Sequence, residues 1–316
     1  MASLLLFFLS ALICLTALCV ERAIGIGWDF HPDAVTYLGN SKLITGLLLE
    51  QGPLAVLNNL YYLVVNALDM NLAAVIAVNV CMYSLTNVLI TMVFTRFTKG
   101  NQPQGLIYFG LFALVLFNPY RIHLAVHVLK DTMIILFLVM VAVRWKFSFL
   151  SWLPLMLIRI GSMIYAIAFL TRRNLLLLAI PIGAYLVLHP HVIIGILESK
   201  QVDMRFRSFD HVPSFYSMGL FGTGLRALIW PFFMLTGTFV LFSPSVMFVP
   251  IAFGALVFQI WCWKSFSRPG LLLAVYAPMA ILAIMVPGFT SFIRYALPLL
   301  TIAPILMMQG KMFRPR

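Results

Sequence analysis

Charge, and acid above all, is what this sequence lacks. Of 316 residues only 9 are Asp or Glu, and charged residues of all kinds make up 9%, against about 25% in a soluble domain. A chain so short of polar groups cannot cover a water-soluble globule. Disorder and a soluble two-domain enzyme are excluded on the same ground. The 4 cysteines, Cys14, Cys19, Cys81 and Cys262, all lie in apolar stretches. That excludes a disulfide framework and a cysteine zinc site, and reads as small buried hydrophobes. A glycine-rich phosphate loop, a His-Glu-x-x-His helix and a Gly-x-Ser-x-Gly elbow are also missing, so nothing points to a nucleotide cofactor. There is no internal repeat, no low-complexity run and no linker. Period-two alternation is missing too, which argues against a membrane β-barrel.

What the chain has in abundance is long apolar blocks. Apolar residues reach 63% and the mean hydropathy is +1.03. The expected fold is all-α, a polytopic integral membrane helical bundle of about 8–10 spans in one domain over 1–316. The blocks run 3–20, 71–94, 104–117, 132–143, 147–170, 174–188, 229–242, 246–262, 271–287 and 295–310. Several fall short of the roughly 20 residues of a straight span and must borrow flanking residues, tilt or re-enter. The first block lacks a basic leader and a small-residue cleavage site, and is read as an uncleaved first helix. Two stretches are too polar to span: an outer loop, 21–70, and a second long loop, 189–228. The first includes an amphipathic piece from Pro53 to Tyr62, expected in the interface.

The net charge of +12 belongs to topology and anionic headgroups rather than to nucleic acid. Arg96 with Lys99, Arg144 with Lys146, Lys264 with Arg268, and the tail Lys311, Arg314 and Arg316 form short basic segments without acid. The alternate segments carry Glu21, Asp29, Asp33, Glu50, Asp69 and Asp131. The positive-inside rule then puts both termini in the cytoplasm and the 21–70 loop outside. The 147–170 block leaves the side of Arg172 and Arg173, and of loop 189–228, open: a full crossing puts the arginines outside, a hairpin keeps them inside.

Four constellations can carry chemistry. After the first span comes Trp28-Asp29-Phe30-His31-Pro32-Asp33, with Asp33 and Tyr37 on one face if a helix starts after Pro32. Asp33 can accept a proton from an acceptor hydroxyl or bind a metal; the structural alternative is an N-capping aspartate. In Asn118–Asp131, His123, His127 and Lys130 recur at four and three and fall on one helical face, with Arg121 before them. That stripe suits an anionic ligand such as phosphate. A His-x-x-x-His metal pair lacks an evident third ligand, and the plain alternative is a snorkelling face with Asp131 capping the next helix. Arg159 lies inside an apolar block, where it costs roughly 2.5–3.5 kcal/mol. A buried acid, a water-filled cavity or a bound anion must offset it, unless it reaches the headgroups from a helix end. Arg294, before the last span, offers a two-pronged fork for phosphate or carboxylate.

His31-Pro32-Asp33 with Tyr37, placed just after the first span, resembles the first outer loop of polytopic glycosyltransferases of the GT-C type. Arg294-Tyr295 with Pro298 is similar to their closing arginine element. Leu129-Lys130-Asp131, running into Thr132-Met133-Ile134-Ile135, resembles the basic-acid span start of bacterial polysaccharide polymerases of the Wzy and EpsG types. Ala34 stands where a second acid is usual, so the resemblance carries no requirement for a metal. It implies a GT-C-like fold and a bacterial inner-membrane enzyme of O-antigen or exopolysaccharide synthesis. Such an enzyme transfers or polymerises sugars carried on polyprenyl phosphate or diphosphate at the outer face. Asp33 or His127 would be the base, and Tyr37, Arg121, Lys130, Arg159 and Arg294 would hold the substrate. No cofactor is expected; a divalent metal stays open as an alternative that no motif in the sequence supports. The expected partners are the polyprenyl-linked glycan, membrane lipids and other polysaccharide-assembly membrane proteins. A flippase for lipid-linked oligosaccharides, or another membrane transporter, is the alternative.

Overall fold

A computed structural model describes residues 2–51, 59–98, 113–143, 148–169, 218–242, 248–264, 269–286 and 288–309, with a few isolated positions between. All regular structure among the described residues is helical. The chain forms two compact units, Met1–Met163 and Ile164–Arg316. Most of the expected span 174–188, most of 189–217, residues 52–58 of the outer loop and the basic pairs around 99, 144–146, 172–173 and 268 lie outside the described residues.

The first unit is built on α1 (Ala2–Ala23) packed along α5 (Leu72–Thr98). The first of these helices is inside-out by the standard of a soluble protein. On α1 the buried side chains are Ser10, Cys14 and Glu21, while Leu4, Leu5, Phe8, Leu12 and Leu15 are exposed. On α5, Asn79, Tyr83, Thr86 and Asn87 recur at four, three and one and are all buried. Polar groups turned inward to pair, with large apolar side chains turned outward, is the arrangement lipid demands, since hydrocarbon offers no hydrogen bonds. Asn87 donates to Ser10 Oγ at 3.1 Å and joins the two helices. Ala2–Ala23, Leu72–Arg96 and Phe289–Leu306 are long and apolar enough to cross a membrane, and Asp131–Val143, Phe149–Ile158 and Leu272–Met285 are shorter apolar helices. The described residues are thus all-helical, with three helices fit to cross a membrane.

Short helices complete the unit: α2 (Pro32–Asn40), α3 (Leu43–Gln51), α4 (Leu60–Ala67), α6 (Pro119–Ala125), α7 (Asp131–Val143) and α8 (Trp152–Ile158). The described part of the stretch 21–70, too polar to span, is thus largely helical. In α6, Pro119 occupies the first turn and the Asn118 side chain accepts from the Tyr120 and Arg121 amides, a start legible in the Asn-Pro pair. The helix stops at Ala125, and Leu129 N–H turns back to His127 O at 2.9 Å. His123, His127 and Lys130 therefore do not ride one helical face as their spacing predicts. The carbonyls freed by the break are met by Asn79, whose Nδ2 donates to His127 O at 2.8 Å and Leu129 O at 3.3 Å. An asparagine fully buried in α5 thus holds open a break in the neighbouring chain.

The 147–170 block is not one span. It forms a 3₁₀ turn (Ser148–Ser151), α8, and a second 3₁₀ segment (Ile160–Phe169). Arg159 sits at the junction in extended backbone, φ −159° and ψ 112°, rather than mid-helix.

In the second unit α9 (Gly219–Thr236) packs on α10 (Val249–Lys264) and α11 (Pro269–Met285), and α12 (Phe289–Gln309) packs on both of the latter. α9 begins inside the stretch expected as the loop 189–228. It buries Arg226 over the Trp230 ring at 4.1 Å, with Nη2 donating to Val286 O at 2.5 Å. α12 likewise begins before the expected boundary at 295, so Arg294 lies within the last helix and not ahead of it.

Candidate functional site

Glu21 closes the last turn of α1 and is 6% exposed. Its two oxygens face two histidines: His123 Nδ1 at 2.9 Å from Oε1 and His127 Nε2 at 2.9 Å from Oε2. An ionised carboxylate only accepts hydrogen bonds, so each ring places its proton on the nitrogen facing Glu21. In the neutral rings His123 Nε2 and His127 Nδ1 are left with lone pairs. His31, in the turn that leads into α2, brings its Nε2 to 2.8 Å from His123 Nε2. The His127 Nδ1 atom is buried without a hydrogen-bond partner. One ring nitrogen from each of His31, His123 and His127 lies within 4.8 Å of the others. Phe30 covers the group, its ring centroid 5.1 Å, 5.7 Å and 6.2 Å from those of His31, His123 and His127. Phe30 is exposed and His31 half-buried, whereas His123 and His127 are buried.

The break after α6 is what makes this geometry. It lets His127 turn toward Glu21 from outside the helix that carries His123. Asn79 fixes the turn through the His127 carbonyl, and Asn79 Nδ2 also donates to Tyr61 Oη at 3.2 Å.

Tyr61 leads to a second group. Tyr37 packs edge-on against Tyr61 and Tyr62, at 4.9 Å and 5.0 Å between centroids. The Lys130 ammonium stands 5.7 Å over the Tyr37 ring and donates to Ile158 O at 3.5 Å. Next to it Asp131, buried in the first turn of α7, faces Arg159 Nη1 at 3.8 Å. Of the three offsets open to Arg159, the structure supplies the buried acid. Asp33 is half-buried in the first turn of α2. Burial first, and then the Asp33 charge, raise the Tyr62 phenol above its ordinary value. The first unit thus gathers Tyr37 with Lys130, sets Arg159 against Asp131, and ties His127 to Glu21, while the Asp33 charge reaches Tyr62.

Of the two other expected phosphate ligands, one serves the protein's own packing and the other belongs to the second unit. Arg121 is 2% exposed and its guanidinium serves the protein: Nη1 donates to Val115 O at 2.5 Å, Nη2 to Asn87 Oδ1 at 3.3 Å, and the group lies 5.0 Å over the Tyr83 ring. Tyr83 Oη donates to Leu116 O. Arg121 therefore completes the polar seam between α5 and the carbonyls of 113–116. Arg294 is half-buried on α12 in the second unit, one residue before Tyr295, whose carbonyl accepts from Tyr165 Oη at 2.9 Å.

Sequence reasoning missed Glu21 and His31. Glu21 was counted among the acids of an outer loop because the first apolar block ends at 20, whereas α1 carries on through it. The signal was available: an acid on the last turn of an apolar helix is costly unless paired. His31 lies 92 residues from His123, and no local spacing announces that contact. Comparison of the chain with known protein families, with curated proteins and with solved structures finds no match.

Proposed function

We propose that the chain is a membrane glycosyltransferase or polysaccharide polymerase that uses sugars linked to polyprenyl phosphate or diphosphate in bacterial cell-surface polysaccharide synthesis. The observation that carries the reading is the His127–Glu21 pair. The carboxylate holds the ring by one nitrogen, and the other keeps a buried lone pair. A carboxylate-oriented imidazole is a competent general base, because the acid fixes the tautomer and steadies the cation that forms. Asp33 is the second candidate for that proton. In the transfer the acceptor hydroxyl loses its proton to the base. Its oxygen bonds to the anomeric carbon, and the bond from that carbon to the phosphate oxygen breaks. The departing phosphate gains charge, which Lys130 and Arg159 would receive, with Tyr37 under the Lys130 ammonium; charge that develops in a dry site is where fixed cations contribute most. Lipid-facing helices around this unit suit a substrate with a polyprenyl tail.

Deletion of the gene in its own host, followed by complementation, tests the reading. The deletion strain should lose polysaccharide or its long chains, and the wild-type gene should restore them. Asp33→Asn and His127→Gln each keep the shape of the side chain while removing the base, and the variant that fails to restore product identifies it. Unchanged polysaccharide amount and chain length in the deletion strain contradicts the proposal.

A further inference from the structure

We propose that His31, His123 and His127 form a binding site for a divalent transition metal of the zinc class, with Glu21 as the carboxylate that orients two of the three ligands. Once Glu21 has accepted the His123 Nδ1 and His127 Nε2 protons, the nitrogens left over are lone pairs, the form in which imidazole binds metal. Lone pairs buried without a donor are costly, and His127 Nδ1, on a residue 1% exposed, is one such. A cation satisfies it. A metal-bound histidine that gives its other N–H to a carboxylate is the recurring outer arrangement of zinc sites; here a single glutamate does this for two ligands at once. Three neutral nitrogens favour zinc, copper, nickel or iron over magnesium and calcium, which take oxygen.

The geometry comes close to what the ion needs. Two nitrogens at 2.0–2.1 Å from a tetrahedral zinc lie about 3.3 Å apart, and His31 Nε2 and His123 Nε2 stand at 2.8 Å. His31 would have to withdraw by about half an ångström and carry its proton on Nδ1. It is the ligand best able to do so, being half-buried in a turn outside any helix. Three protein ligands leave a fourth position open, the pattern of catalytic rather than structural zinc. An acceptor hydroxyl bound there would lose its proton more readily. With His127 committed to the ion, Asp33 becomes the base; that step rests on the transferase reading, whereas the metal site rests on the four side chains alone. The rival without metal is a hydrogen-bonded relay, His31–His123–Glu21–His127.

The test reads metal and not transfer. Full-length protein in detergent micelles is stripped with a chelator and titrated with Co²⁺, then with Zn²⁺. The expected result is saturable uptake of about one ion per chain, with the strong visible absorption of four-coordinate cobalt, lost on adding zinc. X-ray absorption of the zinc form should show imidazole nitrogens in its first shell. Glu21→Gln should weaken binding roughly 10- to 100-fold. His31→Ala, in the exposed turn, should weaken it at least as much, and His31→Gln serves if that variant folds poorly. Replacing His189, His191 and His211 together by Ala should leave binding unchanged. Wild-type protein that takes up no Co²⁺ or Zn²⁺, an oxygen-only first shell, or binding unaffected by loss of His31 overturns the proposal. The first of these outcomes leaves the relay in place and the transferase reading untouched.

Discussion

Arg159 shows how a contact reverses an expectation at the scale of one residue. A lone arginine in an apolar block is a burden on insertion, so its removal should help. Beside Asp131, at 3.8 Å and with Asp131 only 2% exposed, the same removal withdraws a counter-charge from a buried acid. Breaking a buried pair costs about 3–5 kcal/mol, and the separation and partial exposure of Arg159 put this one at the lower end. Arg159→Ala should lower the thermal midpoint in detergent, and Arg159→Met with Asp131→Leu should recover most of the loss. Equal stability of the single variant and the wild type contradicts the pair. Glu21→Gln makes a different prediction. An amide presents one donor side and one acceptor side, so His123 or His127 must change tautomer, a change that ¹⁵N histidine spectra report. Tyr62 gives a pH signature. Its raised phenol favours the neutral form, so its contribution to stability is whole below the ordinary tyrosine value of about 10 and is lost as pH rises through the folded value. Asp33→Asn should bring the Tyr62 phenolate out at lower pH in an alkaline absorbance titration; an unchanged titration separates the two residues. At this scale the sequence showed His123 and His127 as a pair at a spacing of four. It hid their true relation, because what joins them is an acid from another helix.

Elements were legible where composition alone decides them. The blocks at 3–20, 71–94 and 295–310 became α1, α5 and α12, since long apolar runs have few alternatives to helix in lipid. The breaks at 126–130 and at Arg159 were not legible, because tertiary partners sustain them: Asn79 satisfies one and Asp131 meets the other. Asn79→Ala should therefore act far from its own helix. It leaves the His127 and Leu129 carbonyls without that donor, at about 1–3 kcal/mol for each buried group. The expected outcome is a lower thermal midpoint with α5 itself intact by circular dichroism. Full stability would mean that another group holds the break. In the second unit Gly237 ends α9 at φ +72°, and a Cβ there would stand 2.8 Å from Ala252 O. Gly237→Ala should cost about 1–2 kcal/mol for the left-handed backbone, and more for the close approach to α10. An unchanged midpoint would mean that this junction relaxes freely.

At the scale of the molecule, the scarcity of acid announced the class, while the buried acids themselves emerged only with the fold. A chain with so few carboxylates that buries Glu21 and Asp131 does so against the cost of desolvation, and each faces a cationic or histidine partner. The basic segments without acid predict that a reporter fused at the C-terminus reads cytoplasmic and one near Asp33 reads external; the opposite readout at the C-terminus moves the site to the wrong face for outer-leaflet chemistry. The function proposed for the first unit meets its most direct test in a single-turnover assay. Purified wild-type protein in lipid nanodiscs is given a polyprenyl-diphosphate-linked sugar and a glycan acceptor, and the transferred product is quantified. The wild type should form product. Glu21→Gln should slow transfer at least tenfold while the protein still binds the lipid-linked donor, since an orienting carboxylate lost from the transition state is worth about 1.4 kcal/mol or more. Donor binding without any transfer by the wild type, or full transfer by Glu21→Gln, contradicts the assignment of this cluster as the working centre of a transferase.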